Sequence, residues 1–267
     1  QTSTFPFLAE TINCKNKNDK KKYFFAGKMS IKFDSSCKNI KFLSFSDEER
    51  IFELKENIRI MSNQNVFFKD KFENLVDSVE FIKISENVYQ TNSNIKILKN
   101  TIINKNQKII FEKNISNDIL NGSTLFIEGQ IGFTNDQNNL TLIQSNDGTG
   151  SLIFINNDYN LSNLIFKKLS KPNLENYILY GGVNFINSKV DLDNIYIKDS
   201  NNEDGINIIN SKSSLTNIYF DNIKADAFDV DFGDLNFLNI NCANVNNDCL
   251  DISGANVTGQ QLSTDNV

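Results

Sequence analysis

The chain has 267 residues, with 27 basic and 33 acidic side chains, a net charge of −6 and no histidine. Without histidine there is no Ser-His-Asp triad, no imidazole acid or base and no His-ligated zinc site. Arginine occurs only at Arg50 and Arg59, which disfavours sites that recognise phosphate or bases through guanidinium groups. The acidic balance argues against nucleic acid as a partner, and no apolar run is long enough to predict a membrane span.

The N-terminal third contains two local patterns that predict helices. Residues 46–49 (SDEE) form a candidate capping box that would open a short helix. Phe72, Leu75, Val76 and Val79 have helical spacing, with Asp70 as the candidate cap. Either helix could seal the first coil of a repeat structure, whose exposed backbone would otherwise recruit another strand.

The organisation changes along the chain. Residues 64–69 (QNVFFK) resemble 107–112 (QKIIFE), 43 positions later, which indicates irregular coils from about residue 55. We therefore predict an irregular N-terminal segment or cap with the first coils over residues 1–90, and a regular repeat over 91–267. Residues 170–173 (SKPN) break the pattern and are predicted to loop out before the most regular coils.

A repeat of 22 to 23 residues occupies the C-terminal third. The segment 204–208 (DGINI) recurs as 226–230 (DAFDV) and 248–252 (DCLDI), with 181–185 (GGVNF) one step earlier. Asn222, Asn244 and Asn266 recur in a second phase of the same period. This period is too short for helix pairs but suits one turn of a β-solenoid with about three short strands.

The alternation of side chains defines an inward and an outward face in each coil. Positions 206/228/250 and 208/230/252 are apolar and predicted to stack inward, about 4.8 Å apart along the axis, while 207/229/251 point outward. The predicted fold class is all-β, a right-handed parallel β-helix that is open or truncated at its C-terminal end.

This region resembles the right-handed parallel β-helices of bacterial secreted and surface proteins, which have a pectin-lyase-like fold. The resemblance is carried by 181–185 (GGVNF), 203–208 (EDGINI), 225–232 (ADAFDVDF) and 247–254 (NDCLDISG). It covers roughly residues 120–267 and implies a secreted or cell-surface location. Polysaccharide lyases and hydrolases share this fold, but their His and Arg signatures are missing here, so the resemblance implies a fold far more firmly than an activity.

The outward acidic side chains are the first candidate site. Asp229, Asp231 and Asp251, with Asn207 and Ser253, are predicted to share one face across three coils. Carboxylates this close repel unless they are protonated or bridged by a cation. These three could therefore hold Ca²⁺, and the sequence suggests no other cofactor. Asp229 and Asp251 could also divide acid and base roles.

A structural role for these carboxylates is the alternative interpretation. The Asp side chains of the adjoining turn, at positions 204, 226 and 248, would then cap backbone N–H groups as Asx turns. They would be stacked like the asparagines at 222, 244 and 266. We favour this structural role over calcium binding or catalysis.

Tyr196 and Tyr219 are the second candidate site. They occupy the same outward phase on adjacent coils. Two tyrosines so placed could stack against a sugar ring, although cross-coil packing is the more common arrangement.

The sequence also predicts how the cysteines pair and what borders the two ends of the chain. Cys14 with Cys37 and Cys242 with Cys249 are the natural disulfide partners, against the alternative of free thiols. Gln1 could follow a removed signal peptide or be the edge of a longer chain. The repeat stops in mid-coil at Val267, so we expect further coils or another subunit to cover that end.

The function favoured by the sequence is a secreted or cell-surface structural or interaction module that contacts polysaccharide and is not an enzyme. A polysaccharide lyase or hydrolase with an acidic site on the coil face is one alternative. A virion spike or fibre subunit is another.

Overall fold

The structure is a computed structural model that describes residues 7–14, 22–25, 37–43, 49–53, 72–113, 115–174 and 179–267. The chain divides into two compact units, one of residues 1–70 with 174–178 and one of residues 71–173 with 179–267. Each unit has its own strands. The predicted resemblance of 64–69 to 107–112 and the predicted cap Asp70 fall partly or wholly outside the described residues.

The first unit contains a four-stranded antiparallel sheet with the order β2-β1-β3-β4. Its strands are β1 (Phe7–Cys14), β2 (Lys22–Phe25), β3 (Cys37–Leu43) and β4 (Glu49–Glu53). The short helix predicted to open at residues 46–49 is wrong, because Glu49 begins a strand whose backbone pairs with β3. The hydrogen bonds between β3 and β4 pair backbone groups that a short helix would leave unpaired at its ends. Cys14 lies opposite Cys37 in the register, and a disulfide between them stays a prediction.

The second unit is a parallel β-solenoid of about eight coils, as the repeat predicts. Two sheets run along its length, and a third is confined to the first coils. Sheet 1 contains β8 (Ile95–Ile97), β11 (Ser116–Ile119), β14 (Thr141–Gln144), β16 (Asp158–Lys167), β18 (Lys189–Ser200), β20 (Lys212–Ile223), β22 (Asp234–Val245) and β24 (Asn256–Asp265). Sheet 2 contains β5 (Glu73–Asn74), β9 (Thr101–Ile103), β12 (Thr124–Ile127), β15 (Ser151–Ile155), β17 (Gly181–Ile186), β19 (Asp204–Ile209), β21 (Asp226–Asp231) and β23 (Asp251–Ser253). Sheet 3 contains β6 (Ile82–Ser85), β7 (Val88–Gln90), β10 (Lys108–Phe111) and β13 (Gln130–Phe133).

The core is built from columns of apolar side chains that lie in register from coil to coil. One column of sheet 2 consists of Ile103, Ile127, Phe154, Phe185, Ile208, Val230 and Ile252. All of these except the last are buried. Asp204 pairs with Asp226 in register, and the backbone N–H of Asp248 donates to Asp226 Oδ1 (3.0 Å). These three aspartates of the repeat therefore also lie in a column. The predicted stacking of chemically similar positions is confirmed.

Sheet 2 is buried on its outer face as well as its inner face. The outer column begins with Ile102, Phe126 and Ile153, and it continues as Asn184 and Asn207. All five side chains are at most 3% exposed. A parallel sheet covered on both sides typically shows such uninterrupted burial. As far as Asn207, the outer face therefore changes from apolar to polar along the solenoid axis while staying buried.

The corners of the coils use eleven of the 44 asparagines of the chain. Fourteen described non-glycine residues have a positive φ, and eleven of them are Asn, which tolerates this left-handed region. Twelve of the fourteen recur in columns at three corners, and Gly254 continues the first column. The columns are Asn156, Asn187, Asn210 and Phe232; Asn163, Asn194 and Asn217; and Lys168, Asp199, Asn222, Asn244 and Asn266.

Hydrogen bonds between neighbouring side chains reinforce the corners. Asn194 Nδ2 donates to Asn163 Oδ1 (2.8 Å), and Asn266 Nδ2 donates to Asn244 Oδ1 (2.9 Å). Asn222 donates to Asp199 (2.8 Å) in the same way. The predicted asparagine column at 222, 244 and 266 is thus confirmed as a repeated corner.

Replacing Asn194 with alanine is expected to lower the free energy of unfolding by roughly 1–2 kcal/mol, because alanine resists the φ of 54° found there. Asn194→Gly is the matched control, since it loses the same side-chain bond but keeps the backbone freedom. Urea unfolding of both variants measures the difference. Equal losses in the two variants would show that backbone conformation does not select asparagine at this corner.

The helix of the second unit is shorter than its pattern predicts. Helix α1 (Leu75–Ser78) makes a single turn, and the preceding residues 73–74 form β5 instead. Leu75 is fully buried, while Phe72 lies outside the turn with its ring 5.5 Å from that of Phe126. Pairing of β5 with β9 competes with the first helical turn, so only part of the predicted helix forms.

Two other predictions about the solenoid are confirmed. The segment between β16 and β17 leaves the regular path, so the step from Ile153 to Asn184 is 31 residues instead of 22 or 23. Cys242 and Cys249 form a disulfide, with their Cα atoms 5.8 Å apart. It ties β22 to the segment that precedes β23.

The last coil leaves part of its inward face uncovered. Ile252 is 43% exposed, whereas Val230 and Ile208, which precede it in the same column, are fully buried. Leu262 of β24 is also exposed. That further coils or another subunit cover this end stays a prediction.

Candidate functional site

Tyr196 and Tyr219 form a stack on the outer surface of sheet 1. They are direct partners in the register of β18 and β20, so the repeat brings them together as predicted. Their ring centroids are 4.7 Å apart and their planes differ by 11°. Both side chains are half-buried. The packing between coils that the sequence favours is therefore present, and the stack still reaches the surface.

A second column runs beside the tyrosines, two residues further along each strand. Side chains two apart on a strand share one face of the sheet. In register, this column contains Lys198, Asp221, Ala243 and Asp265. Lys198 Nζ lies 5.7 Å from the centroid of the Tyr196 ring, a cation–π contact. The lysine is thus held against the first ring of the stack.

Beyond Tyr219 the tyrosine column continues with smaller side chains, first Asn241 and then Ser263. This drop in size opens a groove of about 410 Å³, lined by the two tyrosines, Lys198, Asp221, Asn241 and Asp265 among others. The residues after Tyr219 were not singled out by sequence reasoning. Their spacing of 22 residues from Tyr219 and Asp221 is the signal that could have identified them.

A hydrogen bond and the disulfide order the groove. Asn244 Nδ2 donates to Asp221 Oδ1 (3.1 Å), which fixes that carboxylate at one edge. Cys242, between Asn241 and Ala243, is buried and linked to Cys249 below the surface. A groove on a disulfide-linked strand of a sheet is largely preformed, which reduces the entropic cost of binding a ligand.

The predicted acidic face lies on sheet 2. Asn207, Asp229 and Asp251 are partners in register, as are Asp231 and Ser253, so the structure brings all five together. They are not an exposed ladder, however. Asn207 and Asp231 are 2% exposed, Asp229 is half-buried, and only Asp251 is open to solvent.

Asn207 joins two of these carboxyl groups. Its Nδ2 donates to Asp229 Oδ2 (2.5 Å) and lies 3.4 Å from Asp231 Oδ2. The Oδ1 atoms of both aspartates are buried without a hydrogen-bond partner among the described residues. Burial raises the pKa of Asp229 far above its usual range, and the neighbouring Asp231 raises it further. Burial also raises the pKa of Asp231, although the bond from Asn207 opposes this shift.

Asp204 extends the cluster at the preceding turn. Its side chain is buried, and burial together with the nearby Asp226 raises its pKa to about 8. Sequence reasoning placed this residue at a turn as a cap of backbone N–H groups, and alternation could not reveal that its side chain is buried. The raised pKa values favour the protonated forms of Asp204 and Asp229.

This cluster can hold protons, but its geometry does not prearrange a cation site. Within the described ranges, no group of three or more Asp, Glu, Cys or His side chains is placed to bind a metal ion. The Ca²⁺ site predicted at Asp229, Asp231 and Asp251 gains no support from this arrangement. The acid–base pair predicted at Asp229 and Asp251 stays a prediction, since Asn207 links Asp229 to Asp231 instead.

The fold and the groove define the class of protein as a parallel β-solenoid with an aromatic surface groove. Comparison of the chain with known protein families, with curated proteins and with solved structures finds no match. In the part of the chain that the structure describes, no helix is long and apolar enough to cross a membrane.

Proposed function

We propose that this protein is a secreted or cell-surface β-solenoid that acts as an interaction module and contacts a polysaccharide through the Tyr196/Tyr219 groove. The observation that carries the proposal is the tyrosine stack that opens into a groove of about 410 Å³. Ligand sites typically combine apolar or aromatic walls with a few polar groups that fix orientation. The apolar face of a pyranose ring packs well on an aromatic ring, and its hydroxyls suit the Asp and Asn side chains alongside.

Two observations support the extracellular setting. The Cys242–Cys249 disulfide is typical of oxidising compartments and rare in the cytosol. The coils also resemble those of bacterial secreted proteins with a pectin-lyase-like fold. Mass analysis of the protein isolated from its natural source would test the extracellular setting. A mass that shows Cys242 and Cys249 as reduced thiols would contradict it.

Replacing Tyr219 with alanine is expected to weaken binding of oligosaccharides at least about tenfold, because it removes the ring whose second face borders the groove. Isothermal titration with fragments of several polysaccharides measures this. Tyr219→Phe is the matched control, since it keeps the aromatic face. If wild type and both variants bind equally, the groove is not the binding site.

A polysaccharide lyase or hydrolase is the second candidate function. The pair Asp229 and Asp231 favours it, because Asn207 joins the two carboxyl groups and burial raises the pKa of both, as it does for catalytic carboxyl groups that act as acids. Their burial on the outer face of sheet 2 argues against access by a polymer. Incubation with polysaccharides would be followed by measuring reducing ends and unsaturated products. If the protein releases either product and Asp229→Asn does not, it is an enzyme and not only a binding module.

A further inference from the structure

The tyrosine stack has one face left open. Tyr196 covers one face of the Tyr219 ring at 4.7 Å, and the stack follows the direction in which the coils are piled. The second face of Tyr219 is therefore turned towards the next coil, where Asn241 takes the place of a third tyrosine. Because Asn241 and Ser263 are much smaller, a flat ring can lie on Tyr219 at that level.

Two of the polar groups around this position are carboxylates, which accept hydrogen bonds. Ala243 is flanked in its column by Asp221 on one side and by Asp265 on the other. Asp221 accepts a single bond from Asn244 and keeps further lone pairs, while Asp265 is exposed. Ligand hydroxyl groups that reach these carboxylates can donate to both.

The charges around the open face are mainly negative. Lys198 lies one coil before Tyr219, against Tyr196, so it is on the far side of the stack. Asp221 and Asp265 are the charged side chains next to the open position, and the chain carries a net charge of −6. A ligand carboxylate placed there would meet two like charges, whereas Lys198, the cation that lines the groove, lies one coil away beside Tyr196.

We propose that the groove takes an uncharged sugar ring, stacked on Tyr219 as the third ring of the column and donating hydrogen bonds to Asp221 and Asp265, and that it discriminates against uronic acids. This inference rests on the proposed polysaccharide contact and names the class of glycan. Like charges placed next to each other in a binding site disfavour the wrong partner strongly. Since the site is open to water, added salt screens the repulsion and narrows the discrimination.

Matched pairs of glycans that share a backbone and differ in charge at C6 test the inference. Titrations would use galacturonan oligosaccharides with free and with fully methyl-esterified carboxyl groups, and cello-oligosaccharides before and after oxidation at C6. In at least one pair we expect the neutral member to bind about tenfold or more tightly than the acid at low salt. The gap should shrink as salt is added.

The Asp221→Asn/Asp265→Asn double variant should bring the acid and the neutral glycan close to equal affinity. Asp193→Asn, which removes an exposed carboxylate of β18 outside the groove, is the control and should leave the ratio unchanged. If the uronate binds as tightly as its neutral partner, or more tightly, in every pair that binds, the inference is overturned while the proposed function stands. If none of the glycans binds, the proposed polysaccharide contact fails with it.

Discussion

Replacing Phe185 with alanine is expected to lower the free energy of unfolding by about 3–5 kcal/mol. Phe185 is fully buried at the centre of the solenoid, and its ring stacks on that of Phe154 with centroids 4.6 Å apart and planes 16° from parallel. Ile208 follows it in the same column. Because neighbouring coils hold each position in register, the structure cannot collapse into the space that the ring leaves, and a cavity remains.

Urea unfolding of Phe185→Ala and of Leu98→Ala measures this effect. Leu98 is 53% exposed, so its replacement should change stability by less than about 0.5 kcal/mol. A loss of similar size at both positions would contradict the inward column that defines the fold. A large loss at Phe185 alone is the result that a stacked core requires.

The Asp229→Asn/Asp231→Asn double variant is expected to be more stable than the wild type above neutral pH, by on the order of 3 kcal/mol. Burial raises the pKa of both carboxyl groups in the folded protein. The folded protein therefore keeps protons that the unfolded chain loses near pH 4, and wild-type stability falls as the pH rises from there. Asparagine cannot ionise, so this part of the decline disappears in the variant.

Chemical unfolding at several pH values between 4 and 9 measures how the stability difference between the variant and the wild type changes with pH. The variant and the wild type should be similar near pH 4 and should diverge as the pH rises. Asp204, whose pKa is raised to about 8, keeps some pH dependence in the variant. Asp193→Asn, at an exposed position, should leave the profile unchanged. A double variant that is less stable than the wild type across the whole range would show that the two carboxylates are not penalised by burial.

Much of the solenoid could be predicted from the sequence because each coil repeats the same physical problem. Apolar positions must face the axis and corner positions must accept a positive φ, so both recur every 22 or 23 residues. The period placed Tyr196 beside Tyr219 and the repeat aspartates in a column. The left-handed corners account for eleven of the 44 asparagines.

Other features depend on contacts that a repeat does not encode. Alternation shows that Asn207 and Asp231 point away from the axis, but it cannot show that the outer face of sheet 2 is covered. Local helical spacing predicted a longer helix around Leu75, and pairing of β5 with β9 overrides it. The groove was missed because it arises where large side chains stop, and small residues such as Asn241 and Ser263 give no local signal.

The most direct test of the account is a crystal structure of the protein with the oligosaccharide that binds best in the titrations. The account predicts a pyranose ring lying parallel to the Tyr219 ring at the level of Asn241, with hydroxyl groups on Asp221 and Asp265. A ligand bound elsewhere on the solenoid, with the open face of Tyr219 unoccupied, would contradict it.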